Sequence, residues 1–144
     1  MIRTFEGSNP SILNLKKKMN FTTIKFLISI KNASSGYKDK VVTTYDCSSL
    51  PILKLLYNSG LIQGYTIVNK SKVKVLLRRV FNKTLTQNLK IISTPTYKIS
   101  LDIKKISLIQ KNTNCFMFFS TDRGLLTASE CKKHKIGGTL LFTC

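Results

Sequence analysis

Residues 115–144 constrain the fold more than any other stretch, because their local patterns admit few backbone conformations. The apolar run Cys115-Phe116-Met117-Phe118-Phe119 leads into Ser120-Thr121-Asp122-Arg123-Gly124, followed by Leu125, Leu126 and Thr127. The run reads as a strand and Ser-Thr-x-x-Gly as a tight turn. Thr127-Ala128-Ser129-Glu130 is a capping box, in which the threonine hydroxyl bonds the Glu130 N–H and the carboxylate reaches back. The short helix that it starts carries Lys132, Lys133, His134 and Lys135, and is expected to end at Gly137. Gly137-Gly138 then opens a terminal apolar strand, Thr139-Leu140-Leu141-Phe142.

Upstream, Phe21, Ile24, Leu27, Ile28 and Lys31 follow helical spacing, with Asn20 as the N-cap and an end near Asn32. A β-branched strand is expected over 41–44. Ser48 or Ser49 caps a second helix with Pro51 in its first turn, Ile52, Leu53, Leu55 and Leu56 on its apolar side, and Gly60 as its stop. Residues 64–68 and 73–77 read as a hairpin around a four-residue turn, Asn69-Lys70-Ser71-Lys72. Beyond it, 91–93 and 97–101 read as strands flanking Pro95, whereas 104–110 fits a helical and a strand period equally. The expected organisation is a basic arm over 1–19, an α/β unit over 20–80 and a β-rich unit over 81–144. The fold class is α+β: two small α/β units, an N-terminal α-β-α-β-β followed by a mostly-β C-terminal half.

The charge is lopsided. Against 24 Lys and Arg stand 6 Asp and Glu, for a net charge of +18 in 144 residues. Self-repulsion opposes compaction of such a chain, so a polyanionic partner is implied. An AT-rich coding bias accounts for lysine over arginine but not for the scarcity of acids. With 42% hydrophobic residues the composition is that of a globular protein.

Enzyme classes find little support. The chain has no P-loop, no dinucleotide fingerprint and no H-E-x-x-H. His134 has no sequence-level partner among its lysine neighbours, and Asp102 and Asp122 stand alone. Cys47, Cys115, Cys131 and Cys144 form no C-x-x-C, so no metal site and no cofactor is expected, and free thiols in a reducing compartment are. Cys115 is expected in a strand. No apolar run approaches the roughly 20 residues of a membrane span, so no membrane insertion is expected. Residues 1–19 lack the apolar block of a signal peptide and the arginines of a presequence.

Small hydroxyl residues and glycines at strand ends allow a main chain to approach a large polar ligand. Double-stranded RNA presents a wide minor groove of 2′-hydroxyls and base edges. Ser120, Thr121 and Gly124 suit it, as do the N–H groups of Gly137-Gly138, while Lys132, Lys133 and Lys135 stand ready for phosphate.

Taken together, these residues resemble a known family, the eighth protein of the small ribosomal subunit in its bacterial and organellar form. Its signature is an apolar strand, Ser-Thr-x-x-Gly, two hydrophobic residues and Thr, a short basic helix, Gly-Gly and a last strand. Ser120, Thr121, Gly124, Leu125, Leu126, Thr127, Gly137 and Gly138 match in order and spacing. Leu27, Ile30, Lys31, Asn32 and Ala33 are similar to its first helix end, and Ser93, Pro95, Lys98 and Ile99 to a strand entry. Ile52, Leu56, Gly60, Leu61 and Ile62 are similar to its second helix and stop. The resemblance covers roughly residues 20–144. Departures are Thr96 for a glycine, Ser100 for an aromatic residue, Lys135 for a glycine, Thr139 for an acidic residue and Lys25 for an aspartate.

The resemblance implies a structural, non-enzymatic constituent of the small subunit that binds a central-domain helix of its rRNA and supports subunit assembly and translation. Its implied RNA-binding residues are Ser120, Thr121, Asp122, Arg123, Gly124, Thr127, Lys132, Lys133, Lys135, Gly137 and Gly138, with Ser93, Lys98, Lys31 and Asn32. Implied partners are small-subunit rRNA and neighbouring small-subunit proteins, without homo-oligomers. From divergence, lysine and isoleucine bias and the absent targeting signal, the mitochondrial ribosome is the expected compartment, with another organellar or a bacterial cytoplasmic ribosome as the alternative. The different-class alternative is a basic peripheral protein of membrane surfaces, motivated by Lys16-Lys17-Lys18 and the attraction of lysines to anionic lipid.

Overall fold

The computed structural model describes residues 19–144; residues 1–18, most of the expected basic arm, lie outside the described residues. The described chain falls into two compact units, residues 20–89 and residues 90–144 with Met19. It is an α+β fold, with the expected α-β-α-β-β order in the first unit.

In the first unit, α1 (Phe21–Ser35) and α2 (Ser49–Asn58) pack with an antiparallel sheet of β1 (Lys40–Thr44), β2 (Ile62–Asn69) and β3 (Lys72–Leu77), in the order β1-β3-β2. The middle strand alternates cleanly: Val73, Val75 and Leu77 are buried, and the residues between them are not. That is the period of a strand with one face in the core. Helix α1 buries Thr23, Phe26, Leu27, Ile30, Ala33 and Ser34. Phe21 and Ile28, expected on its apolar face, are 72% and 42% exposed instead. The stripe through Phe26, Ile30 and Ala33 reaches the helix end, whereas one through Phe21 and Ile28 meets Lys31. Serine does not cap α2: Ser48 already has helical angles, and its hydroxyl accepts a hydrogen bond from the Asn20 side-chain amide. The β2–β3 turn is also tighter than expected. An irregularity between Ile67 and Asn69 absorbs one residue, so Asn69 pairs with Lys72 across only Lys70 and Ser71.

A small ladder completes this unit: β4 (Arg79–Val80) and β5 (Lys83–Thr84) pair in antiparallel fashion. Its base is tied down. Thr84 Oγ1 donates to the carbonyl of Ser34 at 3.2 Å, the Ser34 and Thr86 hydroxyls bond one another, and Arg79 meets Asp39 at 3.0 Å.

The second unit is built on a five-stranded sheet. Its elements are β6 (Lys90–Ile91), β7 (Ile99–Leu101), α3 (Ile103–Asn112), β8 (Met117–Thr121), β9 (Gly124–Thr127), α4 (Ala128–His134) and β10 (Gly138–Thr143). The order is β6-β10-β8-β9, with β7 also on β10. Every residue of β8 is buried. Phe119, Met117, Ile106, Ala128, Cys131 and Leu140 form the core between sheet and helices, and Phe118 stacks on Phe142 at 4.6 Å between ring centres. The ambiguous segment 104–110 is helical. Asp102 caps it, Oδ1 accepting from the Ile103 N–H at 2.8 Å, and only Ile106 is buried, which a strand alternation through 106, 108 and 110 would not give.

Cys115 lies before β8 and is exposed rather than within the strand. Cys131 is buried, and burial with the nearby Glu130 carboxylate pushes its thiol up to about 11; burial and Cys115 push Cys144 up to about 12. Among the described residues no helix is long and apolar enough to cross a membrane.

Candidate nucleic-acid interface

The Ser-Thr-x-x-Gly sequence is the hairpin that joins β8 to β9. Thr121 pairs with Gly124, leaving Asp122 and Arg123 exposed at the tip. Gly124 has φ = 106°, a conformation that a side chain would strain. The Thr121 hydroxyl holds the turn from inside, donating to the Gly124 carbonyl at 2.9 Å and accepting from the Arg123 N–H at 3.3 Å. Thr121 is 2% exposed and Ser120 7%. Thr121 therefore holds the turn in the free protein while Ser120 is buried, and the turn presents Asp122 and Arg123.

Strand β9 runs directly into the capping box. The Thr127 N–H donates to Glu130 Oε2 at 2.8 Å and the Glu130 N–H to Thr127 Oγ1 at 3.4 Å, satisfying two of the donors a helix start leaves open. Glu130 near the start of α4 and Lys132 and Lys133 in its last turn both suit the helix dipole. The helix stops at His134 rather than at Gly137. Lys135 takes the left-handed conformation at φ = 54°, and the N–H groups of Lys135 and Ile136 close back on the carbonyls of Lys132 and Cys131. This is the terminating geometry that glycine normally supplies, here carried by a lysine. The Arg123 guanidinium donates to Nδ1 of His134 at 3.4 Å, which ties the hairpin tip to the basic end of α4.

Gly137 and Gly138 are demanded by the protein's own main chain. A Cβ on Gly137 would lie 2.7 Å from the Leu101 carbonyl oxygen, and one on Gly138 would lie 2.7 Å from that of Ser120. Both approaches are too close for any side chain. They bring β10 against β7 on one side and β8 on the other, so that Thr139 pairs with both Ser100 and Ser120. Ser93 is a clamp of the same kind. Buried at 1% exposure, its hydroxyl donates to the Leu140 carbonyl and accepts from the Ile99 N–H at 3.2 Å. Between Ser93 and β7 the chain makes a hydrogen-bonded loop, with the Tyr97 N–H donating to Thr94 Oγ1 at 3.1 Å. Lys98 is exposed there, beside Tyr97 at 65% exposure.

One group of the expected residues thus lies in the second unit: Arg123, Lys132, Lys133, Lys135 and Lys98 with accessible charge, on a frame made by Ser93, Ser120, Thr121, Gly124, Thr127, Gly137 and Gly138. Asp122 shares the hairpin tip. Lys31 and Asn32 lie on the last turns of α1, in the first unit. Tyr97 was not among the expected residues. Alternation in the expected strand 97–101 would set it on the face of Ile99 and Leu101; the strand instead begins at Ile99, and Tyr97 stays in the exposed loop.

The ribosomal protein S8 family model matches residues 22–144, including both units. Over 92 residues the chain is 35% identical to a protein of Acanthamoeba castellanii named small ribosomal subunit protein uS8m, covering 63% of this chain and 72% of the relative. It is 29% identical over 127 residues to uS8c of Bigelowiella natans (83% and 94% covered) and 28% over 125 residues to uS8 of Carsonella ruddii (85% and 95%). With its signature turn, capping box and double glycine built as one frame, and the model matched over nearly all of its described length, the chain belongs to the ribosomal protein S8 family.

Proposed function

We propose that the chain is a structural protein of a mitochondrial small ribosomal subunit, where it binds a central-domain helix of the small-subunit rRNA and supports subunit assembly and translation beside neighbouring proteins. The observation that carries this reading is the Arg123–His134 contact, which gathers the hairpin tip and the lysines of α4 into one cationic edge. Arg123, Lys132, Lys133, Lys135 and Lys98 neutralise phosphates. The exposed Ser100–Thr139 hydroxyl pair, 3.4 Å apart, offers donors and acceptors to sugar atoms. Ser93, Thr121, Gly124, Gly137 and Gly138 hold these groups in register, and Lys31 and Asn32 give a further contact from the first unit. Net charge of +18 supports a polyanion as partner. The relative named uS8m supports the mitochondrial ribosome as the compartment.

Filter binding of the protein to small-subunit rRNA tests the site. Affinity should fall steeply with salt, and each of Arg123→Ala and Lys132→Ala should flatten the log–log slope by about 0.9 through one lost phosphate contact. A salt-independent affinity, or unchanged slopes in both variants, would overturn it. Sedimentation of mitochondrial lysate tests the assembly: the protein should travel with small subunits and monosomes, not remain at the top of the gradient.

A further inference from the structure

The most exposed large hydrophobic residue described is Phe81, at 97%. It occupies the two-residue turn between Val80 and Lys83 in the β4–β5 ladder, where Phe81 has φ = 49° and Asn82 φ = 63°. Left-handed angles at both positions make a hairpin turn that Asn-Gly prefers. For a bulky residue such an angle is an outlier, and strain of this kind concentrates where a protein holds a group ready for contact. The ladder under it is fixed by the Thr84–Ser34 and Arg79–Asp39 contacts, so the ring stands on an anchored support. Lys83 is exposed beside it, and every charged side chain between Asp46 and Asp102 is a lysine or arginine.

We infer that Phe81 is a stacking platform for an unpaired base of RNA, a second contact in the first unit separate from the cationic edge around Arg123. The inference rests on the RNA reading above. A planar apolar ring with a neighbouring cation, on a segment that contributes no acidic side chain of its own and whose adjoining acid, Asp39, is paired with Arg79, fits a base and its phosphate, since base–aromatic stacking needs only a free ring face and is indifferent to sequence. An apolar pocket on a protein partner would not need the planarity.

Full-length protein bound to small-subunit rRNA supplies the test, with Phe81→Tyr, Phe81→Leu and Phe81→Gly and chemical probing of the RNA. Tyrosine keeps the ring, leucine keeps only the apolar bulk, and glycine removes both while relieving the strained angle. Wild type and Phe81→Tyr should protect the same unpaired nucleotide. Phe81→Leu and Phe81→Gly should lose that protection and bind about fivefold or more weakly, with Phe81→Gly melting at or above the wild-type temperature. Identical footprints for all four proteins, or full protection with leucine, would overturn the inference. Should Arg123→Ala still change its own footprint in that case, the RNA reading would stand without it; absence of any footprint with wild type would remove both.

Discussion

Ser100 and Thr139 stand opposite one another on β7 and β10, with their hydroxyl oxygens 3.4 Å apart. At these positions the resemblance drawn from the sequence leads to an aromatic and an acidic residue; the chain instead brings two short hydroxyl side chains together across the strands. Cross-strand pairs of this type contribute about 0.2–1 kcal/mol. A double-mutant cycle of Ser100→Ala and Thr139→Val, followed by urea unfolding, should return a coupling in that range. A coupling of zero would contradict a stabilising contact between the two hydroxyls.

Gly137→Ala and Gly138→Ala should both destabilise the free protein. Each places a methyl group 2.7 Å from a main-chain carbonyl, which cannot yield as a flexible side chain would. Overpacking costs about 1–3 kcal/mol where neighbours relax and more where they cannot. At Gly36 the nearest atom to a Cβ is 3.3 Å away, so Gly36→Ala should cost less. Urea midpoints rank the three. Full stability in the Gly138 variant together with lost rRNA affinity would assign that glycine to RNA approach instead.

Lys135→Gly should separate stability from binding. A left-handed residue costs about 1–2 kcal/mol when it carries a side chain, against about 0.5–1 kcal/mol of extra chain entropy for glycine. The net gain is roughly 0.5–1 kcal/mol, visible as a raised melting temperature. If Lys135 holds a phosphate, the same variant should flatten the salt slope of rRNA binding by about 0.9. A lower melting temperature would contradict the cap geometry.

The cysteines should divide by exposure. At pH 8, iodoacetamide should modify Cys47 and Cys115, both exposed, and leave the buried Cys131 unmodified in the native protein. Mass spectrometry of the intact and digested protein reads the pattern. The thiols of Cys131 and Cys144 are raised in the folded state, to about 11 and about 12 from a usual 9.0. The folded state therefore favours their protonated forms. That preference is fully present below about pH 9 and is lost as pH rises toward 11–12, so unfolding should become easier across that window. A Cys131→Ala variant should show a shallower loss there.

Sequence alone was enough for the features closed by contacts within a few residues. Thr127 and Glu130 sit three apart, and their reciprocal hydrogen bonds follow from that spacing. The alternation of Val73, Val75 and Leu77 likewise follows from strand geometry, and the order of elements in the first unit from the spacing of glycines and apolar runs. Tertiary structure decided the rest, because each remaining question depends on which distant segment lies alongside. Gly138 is glycine because Ser120 crosses it, and Gly137 because Leu101 does. Ser93 turns its hydroxyl inward because Leu140 arrives from the last strand. The buried face of α1, the helical state of 104–110 and the near-complete exposure of Phe81 depend in the same way on packing between residues far apart in the chain, for which no local pattern carries the distance.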